Sequence, residues 1–110
     1  MLNQIVLVGR IVKEIELKES ENGKKYTVIN LAVPQSFKNV DGVYDTNFIE
    51  CILWDGIAEN TKEYCKKGDL VGIKGRLQRI DTSRPVEIIA ERVTFLSSRA
   101  NKINEEMEGK

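Results

Sequence analysis

The sequence predicts an all-β fold, a five-stranded Greek-key barrel with one helix, and three observations carry that prediction. Short apolar or alternating runs recur along the chain, each bounded by turn residues. A single stretch, 55–68, changes to the helical period. The resulting order is three strands, one helix and two strands within 110 residues, a length that fits one compact domain.

Each element has its own signal. The first run extends from Gln4 to Leu17, apolar on both faces through Ile5-Val6-Leu7-Val8 and alternating after Gly9. A glycine within a strand often marks a bend at a barrel corner, so one long curved strand is expected here. Asn22-Gly23 suits a hairpin turn, and the second strand, Lys25 to Val33, places Thr27, Ile29, Leu31 and Val33 on one face until Pro34 ends it. After a loop containing Asp41-Gly42, the third strand runs from Tyr44 to Trp54. Ile57, Ala58, Thr61, Tyr64 and Cys65 then share one helical face, with Asp55 placed to cap the start and Gly68 to end the helix. Leu70 to Ile80 and Val86 to Leu96 form the last two strands around the turn Asp81 to Pro85. This is the layout of the OB-fold, expected over residues 1–98, with a flexible polar tail over 99–110.

Composition excludes much chemistry. The chain has no histidine, which removes Ser-His-Asp and Cys-His triads and histidine-ligated zinc. Cys51 and Cys65 form no C-x-x-C pair and read as reduced apolar fillers. Gly68, Gly72 and Gly75 lack the spacing and lysine of a P-loop. No enzyme activity, cofactor or metal is expected. No apolar run is long enough to span a bilayer, and Met1-Leu2-Asn3-Gln4 does not resemble a signal peptide, so the cytoplasm (with the nucleoid) is the expected location. The charges balance at 17 basic and 17 acidic residues, so any anion-binding role must come from local clustering.

Strand parity supplies the candidate site. Ile49, Cys51 and Leu53 point into the barrel, which leaves Phe48, Glu50, Ile52 and Trp54 outside. Phe48 and Trp54 are separated by about 20 Å of strand, room for several nucleotides. Phe37, next to Lys38, is a third ring; Tyr26 and Tyr44 are weaker candidates, and Tyr64 and Phe95 read as core. In the fourth strand Val71, Ile73 and Leu77 face inward, with Gly75 relieving crowding there, while Lys74, Arg76 and Gln78 face outward. Rings for base stacking beside cations for phosphates are what a binder of single strands requires. Two plain alternatives stand beside that reading. The rings can cover a subunit or lie under a loop, and the cations can be a solvated or edge-protecting face.

The run Asn3-Gln4-Ile5-Val6-Leu7-Val8-Gly9-Arg10 resembles the opening of bacterial single-stranded DNA-binding proteins. The resemblance continues through Asn30-Leu31-Ala32-Val33, Phe37-Lys38, Phe48-Ile49-Glu50-Cys51-Ile52-Leu53-Trp54, Ala58-Glu59-Asn60 and Lys66-Lys67-Gly68-Asp69-Leu70-Val71-Gly72-Ile73-Lys74-Gly75-Arg76-Leu77, across residues 1–98. It implies an OB-fold that binds single-stranded DNA independently of sequence and protects it in replication, recombination, repair or DNA uptake. It also implies self-association, as a homotetramer or else a dimer, with Val6 and Val8 available for the subunit interface. By the same resemblance Phe37, Phe48 and Trp54 stack on bases, Lys38, Lys74, Arg76 and Arg79 contact the backbone, and Arg10 and Lys13 are weaker contacts. The turn from Asp81 to Pro85 is short and lacks the aromatic that many members of the family carry there, which implies a smaller footprint or a weaker grip per subunit. Glu105, Glu106 and Glu108 are followed by Gly109-Lys110 rather than an apolar tip, so recruitment of replication or repair proteins is not implied. The competing functions are an OB-fold subunit that binds protein in a primosome-like complex, and RNA binding.

Overall fold

The computed structural model describes residues 1–98, and the tail expected over 99–110 lies outside them. Six strands and one helix are described: β1 (Ile5–Ile11), β2 (Lys18–Glu19), β3 (Lys25–Lys38), β4 (Tyr44–Trp54), α1 (Asp55–Tyr64), β5 (Leu70–Gln78) and β6 (Glu87–Ser97). β1 pairs antiparallel with β5, β5 with β6, and β3 with β4, while β6 meets β4 in parallel at Ile52↔Ile89. The barrel closes where β3 returns to β1 at Arg10↔Ala32 and Ile11↔Leu31. Five strands form this ring in the expected Greek-key order, and β2 is a short appendage on the start of β3.

Closure depends on two glycines. A Cβ on Gly9 would sit 2.8 Å from the Ala32 carbonyl oxygen, so only glycine lets β1 come this close to β3. At Gly75 the same atom would lie 2.2 Å from the Ile89 carbonyl oxygen, beside the register shift between β5 and β6. Inside the ring pack Ile11, Ile29, Leu31, Cys51, Leu53, Val71 and Ile73, each at most 1% exposed. Ala58 of α1 seals one end. Cys51 and Cys65 are buried free thiols, and burial pushes the Cys51 thiol up to about 11.

One core group is badly matched. Thr27 faces inward, is fully buried, and its hydroxyl has no hydrogen-bond partner. A buried hydroxyl without a partner costs about 1–3 kcal/mol. Thr27→Val, close in shape, is therefore expected to raise stability by about 1 kcal/mol in urea denaturation; a loss of stability instead would mean the hydroxyl is satisfied.

Several expectations are corrected. The first strand does not run to Leu17. It stops at Ile11, after which Val12 donates one more bond to the Asn30 carbonyl and the chain leaves the sheet, keeping only Ile15 in the core. β3 continues past Pro34 to Lys38 through an irregularity, because beyond Ala32 it pairs with β4 alone and its other edge tolerates the missing N–H. The helix ends at Tyr64 rather than Gly68; Asp55 makes no side-chain cap and adopts φ 50°. Tyr64 is 69% exposed, since α1 packs on the core through Ile57, Ala58 and Thr61 and its last residue overhangs the barrel. Phe95 and Leu77, read as inward, are 46% and 43% exposed because they lie at strand ends, on the barrel rim. The last two strands also begin and end within two residues of expectation, at Leu70–Gln78 and Glu87–Ser97.

Candidate nucleic-acid interface

Alternation along β3 and β4 builds one continuous outer face. Cross-strand partners on it are Tyr26↔Trp54, Val28↔Ile52, Asn30↔Glu50, Ala32↔Phe48 and Pro34↔Thr46. The opposite parity of the same strands, Ile29, Leu31, Cys51 and Leu53, fills the core, which forces these side chains out. Phe48 is 72% exposed in mid-strand. At one end of the face Trp54 leans on Tyr26, with ring centroids 5.2 Å apart and planes tilted by 37°. The sequence ranked Tyr26 low; its register opposite Trp54 makes the two rings one surface.

The other end of the face is the β3–β4 hairpin. Asn39 ties it together: its side-chain oxygen accepts from the Asp41 and Val43 amides at 2.9 and 3.1 Å, and its amide donates to Asp45 at 3.0 Å. Lys38 lies over the Tyr44 ring at 5.7 Å from its centroid, a cation–π contact. Phe37, in the irregular stretch between Pro34 and Lys38, is 64% exposed.

The cations divide into two groups. Barrel closure aligns Arg10, Ala32 and Phe48 in a row across β1, β3 and β4, so Arg10 reaches the aromatic face. One of its terminal nitrogens also donates to the Gly68 carbonyl at 3.0 Å, which fixes the side chain. Lys13 borders the same face beside Asn30 and Glu50. Lys74 and Arg76 do not. β5 neighbours β1 and β6 rather than β4, and Lys74 stands between Val6 and Arg92 on another side of the barrel. Arg76 donates to Gln78 at 2.7 Å and faces Glu91 at 3.9 Å. Arg79 is turned into its own loop, donating to the carbonyls of Asp81, Thr82 and Arg84 at 3.2, 2.8 and 2.9 Å. Ser83 hydroxyl and amide donors hold the Asp81 carboxyl below its usual range in the same turn. Sequence parity placed Lys74 and Arg76 outside correctly, but it carried no information on which strands become neighbours.

Among the described residues no group of three or more histidine, cysteine, aspartate or glutamate side chains could hold a metal. None of the described helices is long and apolar enough to cross a membrane. What the barrel offers is an open, ring-bearing sheet face edged by lysine and arginine. An OB-fold domain with such a face is built to hold an extended ligand rather than to enclose a small one.

Comparison with known proteins gives the family. The model of the single-strand binding protein family matches residues 2–96. The chain belongs to that family. It is similar to single-stranded DNA-binding protein B of Bacillus subtilis, 37% identical over 106 residues that cover 90% of this chain and 94% of that one. Single-stranded DNA-binding protein 3 of Listeria innocua is 41% identical over 108 residues, covering 92% of this chain and 68% of its own. Among solved structures, the wild-type single-stranded DNA binding protein from Thermus aquaticus superposes with a TM-score of 0.74 at 24% identity. That match covers 90% of this chain and 52% of the Thermus chain, and it shows the fold.

Proposed function

We propose that this protein binds single-stranded DNA along the outer face of β3 and β4, with little dependence on base sequence. The observation that carries the reading is Phe48, an aromatic ring 72% exposed in mid-strand on the face turned away from the buried Leu31, Cys51 and Leu53. An exposed ring there gains nothing from folding, whereas stacking a base on it contributes about 1–3 kcal/mol. Trp54 with Tyr26 and Phe37 extend the surface, and Arg10, Lys13 and Lys38 lie where phosphates would run. Lys74, Arg76 and Arg79 serve a strand that continues round the barrel. The family membership and the names of the relatives support the same reading.

The protein works as an oligomer in this proposal, as a homotetramer that wraps the strand. Val6 and Val8 are 71% and 48% exposed on the outside of β1, and Leu96 lies 3.8 Å from where a Cβ on the neighbouring Gly72 would stand. This apolar patch supports a subunit contact, and light scattering on the purified protein reads the mass. Coating exposed strands in this way protects them from nucleases and re-annealing during replication, recombination, repair or uptake, in the cytoplasm.

Neutralising phosphates releases counterions, so affinity must fall with salt. With three to six cations engaged, log K is expected to fall against log salt with a slope of about −2 to −4 for single strands. Fluorescence anisotropy with labelled single-stranded DNA, RNA and duplex at several salt concentrations measures it. Preferential, salt-sensitive binding of single-stranded DNA is the expected result. Equal binding of duplex, or no binding of any nucleic acid, overturns the proposal, and the second outcome is the one a protein-binding module would give.

A further inference from the structure

The β3–β4 face carries a feature that neither stacking nor phosphate neutralisation needs. Between Phe48 and Trp54, and nearer to Phe48, Glu50 of β4 stands opposite Asn30 of β3. Neither side chain has a hydrogen bond or ion pair among the described residues. With Val28 they floor a shallow hollow of about 450 Å³, walled by the segment that follows β1. That wall brings Lys13 and Lys18 but also Glu14 and Glu16, so two lysines face three glutamates. Such a balance does not favour a phosphate over the Glu50 floor, and Lys13 is left to the backbone that passes the border of the hollow. An uncharged base edge fits the place better, and the rings on either side of it along the strand are positioned to hold bases there.

The chemistry of the pair then selects among bases. A carboxylate only accepts hydrogen bonds, whereas the asparagine amide both donates and accepts. Cytosine and adenine present an exocyclic amino group, and guanine presents the N2 amino group, each a donor for a carboxylate. Thymine presents the O4 carbonyl where cytosine has its amino group, and its one donor, the ring N3–H, lies between two carbonyl oxygens that repel a carboxylate. Bases splayed on a stacking surface expose these edges to side chains. We infer that Glu50, supported by Asn30, reads the edge of the base seated over this hollow. It biases the bound strand toward amino-bearing bases and against thymine. The inference rests on the strand-binding reading and adds a composition preference to it.

The test uses oligomers of dC and dT of equal length at neutral pH, titrated against the full chain and its Glu50→Gln and Glu16→Gln variants. Glutamine keeps the shape of Glu50 but can donate to the thymine carbonyl as well as accept. Glu50→Gln is expected to lower the dC-to-dT affinity ratio by about fivefold, the size of one net hydrogen bond. Glu16→Gln removes the same charge from the wall and is expected to raise both affinities alike, with the ratio unchanged. If Glu50→Gln also leaves the ratio unchanged, Glu50 is only a repulsive charge and the inference fails while strand binding stands. A ratio that moves equally in both variants overturns it in the same way. If the unsubstituted protein binds neither oligomer, the strand-binding reading itself fails.

Discussion

Gly75→Ala is expected to lower the thermal unfolding midpoint by about 10–20 °C, the largest stability effect of any single methyl in the chain. The reason is geometric. The new Cβ would meet the Ile89 carbonyl oxygen at 2.2 Å, the Ile89 carbonyl carbon at 3.0 Å and the Ala90 Cα at 3.2 Å. All three are backbone atoms of β6, so no rotamer change relieves the clash and the strands must part. Overpacking of this kind costs typically about 1–3 kcal/mol, and the upper end applies where backbone has to move. β5 holds both β1 and β6, so its displacement opens two of the barrel's seams. Gly56→Ala is the control: nothing lies within 4 Å of its Cβ position in α1, and alanine favours the helix, so stability should hold or rise slightly. Calorimetry on both variants measures the contrast. A Gly75→Ala midpoint within a degree or two of the parent would show that the β5–β6 seam is not closed as described.

The double variant Phe48→Ala/Trp54→Ala is expected to weaken binding of single-stranded DNA by at least about thirtyfold, from about 1–3 kcal/mol per ring. The two residues are about 20 Å apart along β4, far enough for their contributions to add. The fold should persist with a modest loss of stability that comes from Trp54. Phe48 is 72% exposed, while Trp54 is half-buried and gives up its tilted contact with Tyr26, worth about 1 kcal/mol, together with part of its packed area. Binding and stability therefore separate in this variant. If the rings instead cover a neighbouring subunit, the double alanine would split the oligomer and leave intrinsic strand affinity unchanged. Light scattering beside the binding titration distinguishes these results.

Strand parity made much of this legible in advance. Alternation in Phe48-Ile49-Glu50-Cys51-Ile52-Leu53-Trp54 is enough to say which side chains leave the core, and the structure buries Cys51 and Leu53 and exposes Phe48 accordingly. The inward place of Gly75 follows from the same rule in β5. What parity cannot supply is adjacency, because the pairing of distant strands is not encoded in any local period. The return of β3 to β1 moves Arg10 onto the aromatic row, and the insertion of β6 between β4 and β5 moves Lys74 and Arg76 away from it. A helical period likewise names a face without saying how far the helix overhangs, which is why Tyr64 reads as core and stands in solvent. Phe95 is a comparable case in a strand, placed at the rim where β6 shifts register against β5. Glu50 was visible as an outward acid. Only its register opposite Asn30 and the wall supplied by the chain after β1 give it a role.

Trp54 is the sole tryptophan in the chain, so its emission reports on one end of the β3–β4 face alone. Titrating the protein with a single-stranded oligomer while following both this emission and the anisotropy of a label on the DNA tests the site directly. Quenching that saturates together with the anisotropy is the expected result. A strand that binds by anisotropy while the tryptophan emission stays unchanged would place the DNA elsewhere on the barrel and contradict the account.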